Sequence, residues 1–292
     1  MDLLAVGDVM VDVHAASGTL AIGGDVHGHV LIRPGGTSAN AAVWAAWSGA
    51  GAGVAGMVGD DLPGELCVRA LRRSGVDTEA VRIGTRPTGA MLILFDEHDR
   101  SMAADRGANA SFRPEDIPTM NGVGAVLVSG YLTLQEPTTE TAEAAIEAGI
   151  RAGALVAVEA ASWPLVDAFG ADRFLEATAS ATALLANDDE AKALTGLVGT
   201  EACRALMERF RVVAIKRGEA GAVLGVEGAV HEAAAEAVEE MDPTGAGDAF
   251  DGVLLSAIAR GSEPAEALAA ACHVGALVAS SRETWPTEAM RP

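Results

Sequence analysis

The segment Met241–Gly252 reads MDPTGAGDAFDG and places a glycine-rich turn directly before a predicted helix. Glycine tolerates positive φ, and the lack of a side chain lets backbone amides approach a bound group closely. The first amides of the following helix have no partner within it and lie at the positive end of its dipole. The turn is therefore predicted to form an anion hole that suits a phosphoryl group.

Asp248 lies at the start of this predicted helix, where the dipole favours the ionised carboxylate by about 0.3–1 kcal/mol. A carboxylate beside an anion hole can accept the proton of an attacking hydroxyl while the amides stabilise the developing charge. The alternative is a tight turn in which Asp248 is only the helix N-cap, because such turns are common. The order of residues matches neither the Walker pattern nor the dinucleotide-binding glycine pattern.

A second glycine-rich segment, Gly35–Ala42, reads GGTSANAA. It resembles the N-terminal signature of the ribokinase family, also called the PfkB carbohydrate kinases, and Asp242–Phe250 resembles the C-terminal signature of the same family. The resemblance extends over nearly the whole chain. It implies an ATP-dependent carbohydrate kinase with a ribokinase-like fold, which uses Mg²⁺ as well as ATP.

The hydrophobic pattern independently predicts an α/β fold, a three-layer α/β/α sandwich with a mainly parallel central sheet. Short continuous apolar runs indicate strands that are buried on both faces by helices. The predicted strands are Leu3–Val6, Val54–Val58, Ala125–Ser129, Leu155–Val158, Ala183–Ala186 and Val212–Lys216. The predicted helices are Ser38–Ser48, Pro63–Ser74, Thr138–Ala152, Asp188–Leu194, Glu201–Phe210, Ala249–Arg260 and Pro264–Ser281.

Two regions do not follow this alternation of strands and helices. Val26–Ile32 alternates around Gly28, and Met91–Phe95 leads through the polar turn Asp96–Arg100 into Ser101–Ala104. These patterns are typical of antiparallel strands. We therefore predict one domain over residues 1–292, with the strands of a small β-flap lid inserted at about 13–34 and 84–106.

The resemblance also assigns the reacting and substrate-binding residues. It implies that Asp248 is the catalytic base and that Gly245, Ala246 and Gly247 form the anion hole. Asp12 is expected at the end of the first strand as an acceptor for sugar hydroxyls, or alternatively as a solvated aspartate. The remaining substrate residues implied are Gly36, Asn40, Asn109 and Tyr131.

For the nucleotide the resemblance implies Asn187, Lys216, Gly218, Gly221 and His273. Lys216 stands where relatives often have Thr, and a packed helix is the alternative for His273. Asn187 and Glu190 form an Asn-x-x-Glu element that influences magnesium binding, usually through water; a helix-capping pair is the equal alternative.

The resemblance implies a monovalent-cation site that includes Asp242. The segment Ser281–Pro286 lacks the glycine of that site in relatives, so activation by potassium is doubtful.

The net charge of −21 argues against nucleic acid or an anionic membrane surface as the main partner. Residues 34–59 carry no charge, but their glycines disfavour a spanning helix. Cys67, Cys203 and Cys272 are widely spaced and are predicted to be reduced packing residues of a cytoplasmic protein.

The predicted reaction is transfer of the ATP γ-phosphoryl group to a primary hydroxyl of a carbohydrate. A nucleoside kinase of the same family is one alternative, and a catalytically silent sugar-binding sensor is another. Arg106 is the candidate cation for an acidic sugar substrate. The resemblance further suggests a homodimer formed through the lid strands.

Overall fold

The computed structural model describes residues 1–16, 23–95 and 100–290, and nine of the strands in these ranges form the central sheet. Its order is β13-β12-β11-β10-β9-β8-β1-β4-β5. The bounds are β1 Leu3–Val6, β4 Ala52–Gly59, β5 Val81–Gly84, β8 Ala125–Val128, β9 Leu155–Glu159, β10 Ala183–Asn187, β11 Val212–Lys216, β12 Ala222–Val226 and β13 Ala229–Ala233. All neighbours are parallel except β11 with β12 and β12 with β13.

Helices cover both faces of this sheet and produce two separate hydrophobic clusters. One face carries α1 Thr37–Trp47, α2 Leu62–Arg73, α9 Ala246–Ala259 and α10 Pro264–Ala279. The other carries α3 Gly130–Thr133, α4 Thr139–Arg151, α5 Trp163–Phe169, α6 Ala171–Ala177, α7 Asp188–Thr195 and α8 Gly199–Leu206. The predicted three-layer α/β/α sandwich is confirmed.

A second sheet has the order β3-β2-β6-β7 in the described residues. Its strands are β2 Met10–Ala16, β3 His29–Gly35, β6 Gly89–Phe95 and β7 Arg100–Asp105. β2 pairs antiparallel with β3 and parallel with β6. This sheet corresponds to the predicted β-flap, whereas residues 96–99 of the predicted polar turn lie outside the described residues.

Two predictions about this region are wrong. The strand predicted at Val26–Ile32 lies at His29–Gly35, because pairing with β2 fixes its register as far as Met10 opposite Gly35. Asp12 lies within β2 rather than at the end of β1. The chain leaves the central sheet at Gly7, whose φ is 154° and where a Cβ would lie 2.5 Å from Ser38 Oγ.

The helix after the glycine-rich turn begins three residues earlier than predicted. Gly245 is its N-cap, with φ 81°, and no side chain caps it. Asp248 therefore lies in the first turn, at the third helical position, and the alternative that it is merely the N-cap is wrong.

Within the parts of the chain that the structure describes, no helix is both long and apolar enough to cross a lipid bilayer. Cys67, Cys203 and Cys272 are buried and free, in agreement with the predicted packing role.

Candidate active site

A cavity of about 1340 Å³ lies between the central sheet and the second sheet. Side chains of β2, β6 and β7, such as Asp12, Met91 and Ala104, line one side. Glu159, Asn187 and Lys216 line the other, and each is the last residue of its strand. The cavity thus lies at the carboxyl ends of the strands, where ligands bind in open α/β sheets.

The predicted anion hole lines this cavity with Gly245, Ala246 and Gly247. The positive φ of Gly245 favours glycine, and a Cβ there would lie 2.5 Å from Thr284 Cγ2. The amide of Ala246 donates to Pro243 O at 3.1 Å, so this amide is engaged in the turn. The amide of Gly247, at the next helical position, belongs to the first turn of α9 at the positive end of its dipole.

Asp248 is held by a chain of hydrogen bonds. Asn40 Nδ2 donates to Asp248 Oδ2 at 2.7 Å, and Trp285 Nε1 donates to Asn40 Oδ1 at 2.7 Å. The indole thereby fixes the orientation in which the Asn40 amide points its N–H toward the carboxylate. Asn40 and Asp248, which come from the two glycine-rich segments, are brought together.

Burial raises the pKa of Asp248 to about 7, the hydrogen bond from Asn40 opposes this rise, and the negative charge of Asp251 adds to it. The positive charge of Lys216 lowers the same pKa. A carboxyl group that titrates near neutral pH can both accept a proton and release it at that pH. These properties are those required of a general base.

Four of the five predicted substrate residues line the cavity: Asp12, Gly36, Asn40 and Tyr131. Burial, followed by the charge of Asp242, raises the pKa of Asp12 to about 7. Burial likewise raises the pKa of Tyr131. Gly36 has φ 99°, and a Cβ there would lie 2.3 Å from Asp8 O, so a side chain is excluded where the chain enters α1.

Asn109 is not brought to the cavity. Its Nδ2 donates to Val9 O at 2.9 Å, and its Oδ1 accepts from Val9 N at 3.1 Å. The side chain is buried, and both of its polar groups hold the segment that connects β1 to β2. Asn109 therefore holds the backbone at Val9 in place and does not line the cavity.

Asn187 and Glu190 form a complete capping box at the start of α7. Asn187 Oδ1 accepts from Glu190 N at 2.9 Å, and Glu190 Oε2 accepts from Asn187 N at 2.8 Å. Both residues also line the cavity. Capping is thus present in the structure, and it leaves these side chains at the cavity wall.

Lys216, Gly218 and Gly221 also line the cavity, whereas His273 does not. His273 Nδ1 lies 2.7 Å from Glu236 Oε1, and the ring is exposed. Glu236 lines the cavity, so His273 reaches it only through this neighbour.

Asp242 is buried behind the turn, where its Oδ1 accepts from Thr244 N at 3.0 Å and from Thr244 Oγ1 at 2.6 Å. It does not line the cavity. Over residues 1–16, 23–95 and 100–290, no group of three or more His, Cys, Asp or Glu side chains is arranged to hold a metal ion.

Several residues of the site were not predicted from the sequence. Asp251 pairs with Lys216, and the charge of the buried Glu159 acts on Lys216. Asp8 binds the Arg106 guanidinium through two hydrogen bonds, of 2.6 and 2.9 Å. Asp8 and Glu159 lie at or just after the carboxyl ends of buried strands, a position that could have indicated both of them.

Comparison with known proteins agrees with this geometry. The family model described as pfkB family carbohydrate kinase matches residues 1–288. A fructokinase of Klebsiella pneumoniae is 29% identical over 88% of this chain and 89% of its own length. An ATP-dependent ribose-1-phosphate kinase of Halopiger xanaduensis is 32% identical, over 84% of this chain and 80% of its own length.

Solved structures share the fold. Adenosine kinase from Sinorhizobium meliloti superposes with a TM-score of 0.88, at 22% identity, over 98% of this chain and 95% of that chain. Arabidopsis thaliana ribokinase complexed with ribose and ATP gives a TM-score of 0.82, at 22% identity, over 98% and 95%. The predicted ribokinase-like fold and the predicted phosphotransferase activity toward a hydroxyl acceptor are confirmed at the level of the family. This chain belongs to the pfkB family of carbohydrate kinases.

Proposed function

We propose that the protein transfers the γ-phosphoryl group of ATP to a primary hydroxyl of a sugar or nucleoside, with Asp248 as the base. The observation that carries this proposal is the position of Asp248. Its carboxylate lies in the first turn of α9, beside the anion hole, and its pKa is near neutrality. The acceptor hydroxyl gives its proton to this carboxylate as its oxygen attacks the γ-phosphorus.

The substrate would bind between Asp248 and the second sheet. Asp12 accepts hydrogen bonds from substrate hydroxyls, and the hydroxyl of Tyr131 and the Gly36 backbone add contacts. Met91 and Ile93 supply an apolar wall. The second sheet acts as a lid of the single domain and excludes water from the reacting groups.

ATP would bind along Asn187, Lys216, Gly218 and Gly221. The carboxylates at this end suit Mg²⁺, which prefers oxygen ligands and retains several of its waters. Glu190 lines the cavity, and Glu159 Oε2 is buried without a hydrogen-bond partner among the described residues. These two groups would hold the hydrated ion, which neutralises phosphate charge when it is bound. Asp242 remains the candidate for a monovalent-cation site.

The acceptor is proposed to be a neutral molecule. The described cavity wall carries two basic side chains, Arg106 and Lys216, and each is already paired with a buried carboxylate. Arg106 Nη1 also donates to Thr138 Oγ1 at 3.0 Å. An acidic sugar would therefore meet Asp12 and Asp248 without a free cation to compensate them.

The proposal is tested by coupled ADP release over a panel of sugars, nucleosides and sugar phosphates. We expect turnover with a neutral member, and a decrease in kcat of about 10²–10⁴-fold in Asp248→Asn. Asp167→Asn, an exposed change on α5, is the matched control and should retain full activity.

Each other outcome has a defined meaning. Turnover of ribose 1-phosphate but of no neutral member would contradict the neutral acceptor. Stabilisation by a sugar without any turnover would favour the sensor. Full activity in Asp248→Asn would exclude Asp248 as the base.

A further inference from the structure

Lys216 and Asp251 form an ion pair at the nucleotide end of the cavity. Lys216 ends β11, and Asp251 lies in the second turn of α9, three residues after Asp248. Lys216 Nζ lies 2.8 Å from Asp251 Oδ2, and the two side chains are 14% and 1% exposed.

A contribution to the stability of the fold does not by itself explain this ion pair. Removing two charges from water costs several kcal/mol for each ion, which only good geometry and complete hydrogen bonding repay. Here Asp251 Oδ1 is buried and has no hydrogen-bond partner among the described residues. The site therefore holds a carboxylate that is only half satisfied.

The ammonium lies next to the anion hole. A Cβ built at Gly247 would lie 3.5 Å from Lys216 Nζ, and Lys216 lines the cavity. An ammonium has three N–H donors. It can keep one on Asp251 and still donate another to an oxygen of a phosphoryl group bound at Gly247.

We propose that Asp251 is a positioning residue that holds the Lys216 ammonium beside Gly247, where it contacts the phosphoryl group during transfer. This inference rests on the proposed kinase function. The acceptor oxygen forms a bond to the γ-phosphorus and its proton passes to Asp248. The bond from the γ-phosphorus to the bridging oxygen breaks, and its electron pair stays on ADP. Lys216 stabilises the charge on the phosphoryl oxygens without exchanging a proton.

The same arrangement predicts how charge changes affect Asp248. The ionisable groups around Lys216 are Asp251 and Asp248 on α9, Glu190 on α7 and Glu159 on β9, and Asp12 on β2 also acts on Asp248. Asp251 raises the pKa of Asp248, whereas Lys216 lowers it. Removing either charge should therefore shift the acid limb, which is the fall in activity on the acidic side of the pH profile. Loss of Lys216 should move this limb to higher pH, and loss of Asp251 should move it to lower pH.

The test measures kcat, the KM for ATP and the pH profile of kcat/KM for Lys216→Met, Asp251→Asn and the double variant. Lys216→Met should lower kcat about 10²-fold and move the acid limb to higher pH. Asp251→Asn should lower kcat about tenfold with little change in KM, because the contact strengthens in the transition state, and move the limb to lower pH. In the double variant the limb should lie between the two.

Asp251→Glu, which keeps the charge, should recover part of kcat. Asp61→Asn is the control, since Asp61 caps α2 and does not line the cavity, and it should leave the acid limb in place. A purely structural pair would lower Tm in both variants while kcat of Lys216→Met stays near the wild-type value, and this result would overturn the inference. Wild-type kcat in Asp251→Asn would also overturn it. Absence of any turnover in the wild type would instead refute the proposed function.

Discussion

Asp248, the proposed base, is a buried carboxyl group, and its burial lowers the stability of the protein at neutral and alkaline pH. Its pKa is raised from about 3.8 in the unfolded chain to about 7 in the folded protein, chiefly by burial. Between these values the folded state binds more protons than the unfolded state. The contribution of Asp248 to the free energy of unfolding therefore decreases as pH rises from 4 to 7.

Asp248→Asn is consequently expected to stabilise the ligand-free protein at pH 8, where the wild-type carboxylate is charged and poorly solvated. A gain on the order of 1 kcal/mol would raise Tm by about 2–4 °C. The difference in Tm between variant and wild type should shrink toward pH 4. Thermal unfolding followed by circular dichroism across this pH range measures it.

Asp61 provides a control of opposite sign. Although burial raises its pKa, hydrogen bonds from Thr88 and the Gly64 amide lower it overall. Asp61→Asn should therefore lower Tm at pH 8, and the loss should shrink as pH falls below about 4. A lower Tm for Asp248→Asn at pH 8 would contradict the account of Asp248.

Asp248 was predicted from the local chemistry of its glycine-rich turn, and Asn40 from the resemblance of Gly35–Ala42 to the family signature. The sequence could not predict Trp285, which orients Asn40 from 245 residues away. Asp251 was missed for a similar reason, because its role depends on the ion pair with Lys216, which lies 35 residues away on a different element. Pairings across the fold leave no periodic or local signal in a single sequence.

At the level of elements, α7 begins with a capping box that coincides with the cavity wall. Asn187→Ala removes the cap and should cost about 0.5–2 kcal/mol of stability. Serine is also a good N-cap, so Asn187→Ser should recover most of the lost stability. Serine lacks the side-chain amide of Asn187, which donates to Glu190 Oε1 at 2.8 Å. We therefore expect kcat/KM for ATP to be below the wild-type value in Asn187→Ala and to remain low in Asn187→Ser.

This pair of variants separates the two roles of Asn187. Chemical denaturation measures the free energy of unfolding, and initial rates at limiting ATP measure kcat/KM. Recovery of both quantities in Asn187→Ser would mean that the residue acts only as a cap.

The contact between α1 and α9 depends on Gly252. A Cβ there would lie 2.1 Å from the backbone oxygen of Ala41. Gly252→Ala should force the helices apart, cost about 1–3 kcal/mol or more, and disturb the bond between Asn40 and Asp248. Denaturant midpoints and kcat should both decrease.

Gly275 in α10 is the matched control, because the nearest atom to its added Cβ is 3.6 Å away. Gly275→Ala should raise stability by about 0.5–1 kcal/mol through its effect on the backbone. Equal destabilisation by both alanines would show that close helix packing is not the cause.

The helices of eight or more residues and the buried parallel strands were predictable to within a few residues, because most of these helices are amphipathic and the strands are continuous apolar runs. The shorter helices α3, α5 and α6 were missed. β2 was missed because only three residues separate it from β1, and the chain changes direction at Gly7, where φ is 154°. β12 and β13 were missed as antiparallel additions to one end of the sheet; β12 is buried, and only β13 is an edge strand. Edge strands carry weaker patterns than strands covered by helices on both faces.

At the scale of the whole molecule, the second sheet presents an apolar edge. β3 is its outer strand, and Val30, Leu31 and Ile32 are 63%, 50% and 60% exposed. An exposed apolar edge strand is a site for pairing with another chain. We propose that the chain forms a homodimer in which β3 of one copy contacts β3 of a second copy.

Ile32→Glu is therefore expected to convert a dimer into a monomer, because a charge placed on β3 would be buried against the second copy without a partner. Light scattering coupled to size-exclusion chromatography measures the mass directly. Ile83→Glu is the matched control, since Ile83 is 70% exposed on β5, at the edge of the central sheet, and this variant should remain a dimer. If the lid of one copy is held closed by the other, Ile32→Glu should also raise the KM for the sugar, while Asp248 still supports turnover. A wild-type protein that elutes as a monomer, or a dimer that survives Ile32→Glu, would remove the second sheet from the interface and leave it the role of a lid alone.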